Sequence, residues 1–253
     1  MAHLTTFKMK TPLRYPGGKS RAMKFLGEYF PQDIQSYVEP FVGGGSVALW
    51  ATQQYPNAYM HVNDAYYPLY CFWKTLQTEG KSMAMRLEDI KRGTGDDEIA
   101  QRDLYAKAQQ WMHDDRQDPF VVACSFYIAN KCSFSGLATS SFSKQAYHGN
   151  FTINSIRKLP DYQQLIASWN ITNLDYSYFM HGHYDTDFIF LDPPYDIKSF
   201  LYGKDGDKHK GFDHDEFKSH VDNIQTRFMI TYNANPKLID LYSTYHCLQW
   251  DLK

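Results

Sequence analysis

Residues 35–54 read QSYVEPFVGGGSVALWATQQ, and the fold class turns on how they are parsed. QSYVEPF, 35–41, reads as a strand that runs into VGGGSVALWATQQ, a glycine loop opening a helix. Successive glycines let the backbone turn tightly and approach a ligand closely, and the helix start offers free N–H groups. AYMHVND, 58–64, is a second strand, and its closing Asp64 lies 19 residues after Gly45. A carboxylate there can accept two hydrogen bonds from ribose hydroxyls. Glycines at 43, 44 and 45 do not spell G-x-G-x-x-G, and the nearby PGGKS lacks the spacer of a phosphate-binding loop. The pattern suits a nucleoside without a pyrophosphate and favours S-adenosylmethionine over NAD.

Further along, DFIFLDPPYD at 187–196 carries a strand buried on both faces that stops at Asp192-Pro193-Pro194-Tyr195. Neither proline has an N–H for a sheet ladder, and Asp192 and Pro193 each precede a proline, which holds them extended. This rigid corner offers an acceptor carboxylate, an acceptor carbonyl and an aromatic face, which together suit a flat polar ring. A plain strand-ending turn would use the same residues.

Between and around these stretches, Ser20 to about Phe30 reads as a helix, and 66–116 as two polar helices broken near Gly93–Asp97. PFVVACSFYIANK, 119–131, reads as an apolar helix, and the Ser-, Gly- and aromatic-rich stretch from 131 to 151 as a loop with a possible hairpin. Strands are expected at 169–176, 227–234 and, last, at HCLQWDL, with a short helix at NPKLIDLYSTY. Strands alternate with helices at both ends and enclose a helical insert. The expected fold is therefore α/β, a largely parallel Rossmann-like sheet with an inserted, mainly helical domain. The sheet domain is assigned to 1–75 and 160–253, the insert to 76–159. Ligands of such sheets sit at strand carboxyl ends, which puts the glycine loop, Asp64 and Asp192 in one crevice.

Composition is that of a globular protein, and no apolar run nears the roughly 18 residues of a membrane span. The N-terminus lacks a signal-peptide core. Cys71, Cys124, Cys132 and Cys247 form no C-x-x-C pair and read as reduced cytosolic thiols. The net charge of −2 excludes a bulk polycation, but the charges are segregated. Lys8, Lys10, Arg14, Lys19, Arg21 and Lys24 precede the first acid, Glu28, and 119–160 holds Lys131, Lys144, Arg157 and Lys158 with no acid. Such segregation makes a positive face suited to a polyanion.

PLRYPGGK, EPFVGGGSVAL, VND and LDPPY occur in that order, and the combination resembles the Dam-type DNA adenine-N6 methyltransferases (D12 class, alpha group). ANKCSFSGL and GNFTI are similar to that family's recognition-region motifs, so the resemblance runs from about residue 12 to residue 234. It implies a Rossmann-like methyltransferase sheet with an inserted target-recognition domain, S-adenosylmethionine as cofactor and double-stranded DNA as partner. It further implies a monomer without metal, working in the cytoplasm of a prokaryotic or phage-infected cell. By the resemblance Tyr15, Gly18, Lys19, Phe41, Gly43, Gly45, Asp64, Asp175 and Asp192 contact the cofactor. Asp192 and the Pro193 carbonyl accept hydrogen bonds from the amino group of a flipped adenine, and Tyr195 stacks on it. Lys131, Phe134, Thr139, Lys144 and Arg157 are the expected DNA contacts, Phe134 as a wedge.

The chain departs from the family in two places. Members that methylate GATC carry a basic residue two positions after Gly-Leu, whereas here Ala138, Thr139, Ser140 and Ser141 follow. No bidentate guanine contact can come from them, so GATC is only one possible target. The chain also ends at WDLK, without the family's usual final segment. Cytosine-N4 methylation and a non-catalytic DNA-binding protein are the competing functions. Asp205, Asp207 and His209 form an imperfect calcium-loop pattern, discounted because Lys210 stands where glycine belongs. His181 and His183 have no third ligand, and Lys204–Lys210 reads as a solvated loop that could also meet phosphates.

Overall fold

The structure is a computed structural model and describes residues 9–15, 17–138, 140–180, 187–195, 212–233 and 235–250. Its centre is a five-stranded sheet of β1 (Ser36–Glu39), β2 (Tyr59–Asn63), β3 (Asn170–Thr172), β4 (Phe188–Leu191) and β5 (Arg227–Ile230). The strands lie in the order β3-β2-β1-β4-β5, and every pairing is parallel. Val38 pairs with His61 on one side and with Ile189 on the other. The expected parallel α/β sheet is thus present.

The sheet is buried on both faces, and side chains alternate across it with the strand period of two. Tyr37, Phe188 and Phe190 enter one core. Val38, Ile189 and Leu191 enter the other, against Phe179, Phe217 and Leu238. The first core is the larger and runs without a break into the helices between β2 and β3.

Those helices are α3 (Tyr67–Thr94), α4 (Glu98–Trp111), α5 (Pro119–Cys132), α6 (Lys144–Asn150), α7 (Ile153–Arg157) and α8 (Leu159–Leu165). Their starts carry ordinary caps. Asp97 accepts from the N–H groups of Ile99 and Ala100, and Asp118 from that of Phe120, followed by Pro119 in the first turn. Trp73, Phe72, Phe126 and Tyr127 interlock α3 with α5. Before the insert lie α1 (Met23–Leu26) and α2 (Ser46–Gln54); after it come α9 (His214–Val221) and α10 (Pro236–Leu241).

Several expected elements differ, among them the strand expected over 227–234, which stops at Ile230. The helix expected over 20–30 is one α turn plus a 3₁₀ turn at Gly27–Tyr29. The strand expected over 169–176 stops at Thr172, because Asn173 and Leu174 turn aside to bond the Asp64 carbonyl and the Asn63 amide oxygen. The loop of 131–151 contains the expected hairpin contact, a bridge between Ser133 and Phe142, but also the helix α6, capped by Ser143. Residues 246–250 form no strand; Trp250 instead packs on Phe25 at 5.0 Å between ring centroids. The Asp205–His209 pattern, the Lys204–Lys210 run and the His181/His183 pair lie outside the described residues.

Candidate active site

Four adjacent strands end in polar residues that converge on one place. Glu39 closes β1, Asp64 follows β2, Asp192 follows β4 and Thr231 follows β5. β1 has β2 on one side and β4 on the other, so the chain leaves it in opposite directions and a crevice opens above its end. A cavity of about 670 Å³ fills that crevice, and Glu39, Asp64 and Asp192 line it. Thr231 stands just behind, 2% exposed.

The glycine loop forms one wall. Gly43 and Gly45 have φ of +48° and +69°, the left-handed region in which a side chain is strained. Tyr15 lies across the loop so closely that a Cβ on Gly44 would come within 2.5 Å of the Tyr15 Cβ. Gly45 does not line the cavity; it packs on the Trp73 ring, where a Cβ would come within 2.5 Å. Trp73 also donates its indole N–H to the Gly43 carbonyl at 3.0 Å. Asp64 supports the loop from the other side, with Oδ2 accepting from Gly43 N (3.0 Å) and Oδ1 from Tyr66 N (2.9 Å).

Asp192 is the most constrained group. Its Oδ1 accepts from the Tyr195 hydroxyl (2.8 Å) and the Thr231 hydroxyl (2.7 Å). Its Oδ2 accepts from Lys19 Nζ at 2.5 Å, and the same ammonium donates to the Gly17 carbonyl at 2.8 Å. Lys19 is 7% exposed and sits 4.9 Å from the Tyr195 ring centroid. Asp192, Pro193, Pro194 and Tyr195 all line the cavity, and the carboxylate is fixed by three donors.

The far end is aromatic and acidic. Phe41 packs with Tyr176 and Phe212 at centroid distances of 5.4 and 6.0 Å. Asp175 lines this end while accepting from the backbone N–H and hydroxyl of Ser177. Asp213 and Glu216 line it as well. Glu39, 2% exposed, has its carboxyl pushed well above the ordinary range by burial, with the nearby Asp192 charge adding to the effect. The Tyr37 hydroxyl donates to its Oε2 at 2.6 Å and offsets part of the rise.

The residues picked from sequence fall into groups. Tyr15, Gly18, Lys19, Phe41, Gly43, Asp64, Asp175, Asp192, Pro193 and Tyr195 all line the one cavity. Phe134 is 67% exposed, on a turn where Ser135 takes a left-handed φ of 55°. Lys144 and Arg157 are exposed but ion-paired, with Glu98 at 2.7 Å and Glu88 at 2.6 Å. Lys131 lies inside α5, 8% exposed, and burial pushes its ammonium down to about 8, so its charge does not face a surface. Thr139 lies outside the described residues. Glu39, Thr231 and Asn130 were not singled out as functional. Glu39 and Asn130 stood inside quoted motifs, whereas Thr231 stood inside the strand expected over 227–234 and carried no functional signal.

Among the described residues no group of three or more His, Cys, Asp or Glu side chains is placed to hold a metal ion. No helix there is long and apolar enough to cross a membrane.

The family profile described as "D12 class N6 adenine-specific DNA methyltransferase" matches residues 15–253. The chain is 26% identical over 205 residues to the type II methyltransferase M.CviBI of Paramecium bursaria Chlorella virus NC1A, covering 77% of this chain and 72% of that protein. It is 23% identical over 202 residues to the type II methyltransferase M.MjaIII of Methanocaldococcus jannaschii, covering 74% and 70%.

Proposed function

The chain belongs to the D12 class of N6 adenine-specific DNA methyltransferases, and from that premise we propose that it methylates a flipped adenine with S-adenosylmethionine held in the cavity described above. One observation carries the choice of cofactor. Apart from Glu39, whose burial favours its neutral form, the cavity is lined by Asp64, Asp175, Asp192, Asp213 and Glu216, against Lys19 and His220. Acids in that number repel the two phosphates of a dinucleotide and favour a cationic nucleoside. Asp64 would hold the ribose, the Phe41–Tyr176–Phe212 cluster would enclose the base, and Asp175 would accept from its edge. When bound, the cofactor supplies an electrophilic methyl group on sulfur.

The chain's own residues do the rest. The target amino group is inside a base pair in duplex DNA, so the nucleotide swings out to reach the cavity. Tyr195 stacks on the base. Asp192 and the Pro193 carbonyl accept the two amino hydrogens, which localises the nitrogen lone pair and aims it at the methyl. With the cofactor bound, Asp192 would be the acceptor within reach of the proton that the amino group gives up on methylation. Positioning and fixed charge supply the acceleration. Lys19 neutralises Asp192 and shares Oδ2 with the incoming amine.

Residues 76–159 read the DNA in this proposal. Exposed Phe134 enters the duplex, and Lys144 and Arg157 exchange their surface carboxylates for phosphates. Such exposed ion pairs contribute little to stability, so the exchange is easy. Lys131, being buried, supports α5 instead. Likeness to two type II methyltransferases favours a site-specific modification role, with GATC one possible target.

The test is to incubate the protein with S-adenosylmethionine and unmethylated DNA, digest to nucleosides and measure them by mass spectrometry. N6-methyldeoxyadenosine is expected; N4-methyldeoxycytidine, or neither product, would overturn the proposal. Asp192→Ala should reduce the product at least about 1000-fold, in the range of losing a key transition-state hydrogen-bonding group, while DNA binding by gel shift is retained.

A further inference from the structure

Asn130 lies in the last turn of α5, 1% exposed, and uses its amide to join two distant segments. Its Oδ1 accepts from Arg14 N at 3.0 Å, and its Nδ2 donates to Arg14 O at 2.6 Å and Gly136 O at 2.9 Å. The Arg14 guanidinium adds a bond from Nη1 to the Ser133 carbonyl at 3.0 Å. Gly136 has φ +79°, and a Cβ on it would come within 2.6 Å of the Arg14 carbonyl oxygen and Cβ. The turn around Gly136 therefore rests directly on the backbone of residue 14.

Both segments border the cavity: Arg14 leads into Tyr15 and Lys19, which line it, and Gly136 and Leu137 line it beside them. The same turn carries exposed Phe134. A buried amide with both donor hydrogens committed holds its partners to within hydrogen-bond length, so a shift of one segment is passed to the other. A ligand that fixes the Tyr15–Lys19 segment also fixes where the turn presents Phe134.

We propose that Asn130 is a positioning residue that couples occupancy of the cofactor cavity to the setting of the Phe134–Gly136 turn, so that cofactor and DNA each tighten the other's binding. The inference rests on the methyltransferase reading above. Linkage requires the coupling factor to be the same in both directions.

The experiment measures that factor. A short duplex carrying a site mapped by sequencing wild-type-methylated DNA is titrated by fluorescence anisotropy, with and without saturating S-adenosylhomocysteine. Binding of S-adenosylhomocysteine alone is measured by calorimetry. The wild type should bind the duplex at least about fivefold tighter with S-adenosylhomocysteine. Asn130→Ala and Gly136→Ala should bring that factor below about twofold, whatever change they make to S-adenosylhomocysteine binding alone. Arg14→Met keeps the Asn130 bonds to the backbone and should give an intermediate factor; with Gly136→Ala it decides the matter if Asn130→Ala does not fold. A factor unchanged in the variants overturns the inference, as does equal weakening of both ligands with the ratio preserved, or a wild-type factor of one. Failure of the wild type to bind S-adenosylhomocysteine or to make N6-methyladenine overturns the functional reading and the coupling with it. Methylation with an unaltered ratio overturns the coupling alone.

Discussion

Asp192 accepts from three side chains that come from three parts of the chain: Lys19, Tyr195 and Thr231. Tyr195 is expected to turn its ring to a base and Lys19 to share its oxygen with an amine, which leaves Thr231 as the donor with no second task. A hydrogen bond to a charged group contributes about 1.5–3 kcal/mol. Thr231→Val keeps the shape and removes the donor. Turnover at saturating cofactor should fall about 10- to 100-fold, with cofactor affinity by calorimetry within about twofold of wild type. Normal turnover would remove Thr231 from the mechanism. Asp192 and Asp64 were legible in the sequence because each closes an apolar strand inside a motif. Thr231 was not, because its role depends on β5 lying beside β4, a tertiary pairing that no local pattern records.

At the scale of elements, the glycine loop is shaped as much by α3 as by its own glycines. Trp73 fills the space a Gly45 side chain would need and bonds the Gly43 carbonyl. Gly45→Ala therefore meets both a left-handed backbone and an occupied space, costing about 2–4 kcal/mol together. Urea melts should show that loss, accompanied by weaker cofactor binding; an unchanged midpoint would mean that Trp73 moves aside freely. The strand–loop–helix around Gly45 could be read from sequence because apolar run, glycines and helix follow one another directly. α6 could not: its seven residues, KQAYHGN, have too little length for a helical period, and only the Ser143 cap marks its start. The strand expected after residue 245 failed for a different reason, since the Trp250 ring finds a partner in Phe25 rather than in the sheet.

At the scale of the molecule, the cavity gathers like charges inside a buried sheet end, and stability answers to pH through Glu39. Its carboxyl is raised in the folded protein, so the fold favours the protonated form. The stability it contributes is present below the ordinary glutamate value of 4.5 and is lost as pH rises toward the folded value. Glu39→Gln keeps an acceptor for Tyr37 and cannot ionise. Its melting temperature should exceed that of the wild type by a margin that widens as pH rises above the ordinary glutamate value of 4.5; a constant margin would show that Glu39 titrates normally. The overall α/β class was legible from alternating strands and helices. The continuity of the larger core from the sheet into α3 and α5 was not, because apolar positions show that a face is buried without showing against what.

The strand order carries one more consequence, for the birth of the protein. β1 is made early, yet its neighbour β4 begins 149 residues after β1 ends. At about 5–20 residues per second, a ribosome needs roughly 7–30 s to supply that partner. Throughout that interval the nascent chain exposes an open, apolar strand edge, the kind of surface that recruits chaperones or captures another chain. Slower elongation across the α3–α8 region lengthens the exposure, so yield of soluble enzyme should depend on codon choice there even though the finished sequence is identical.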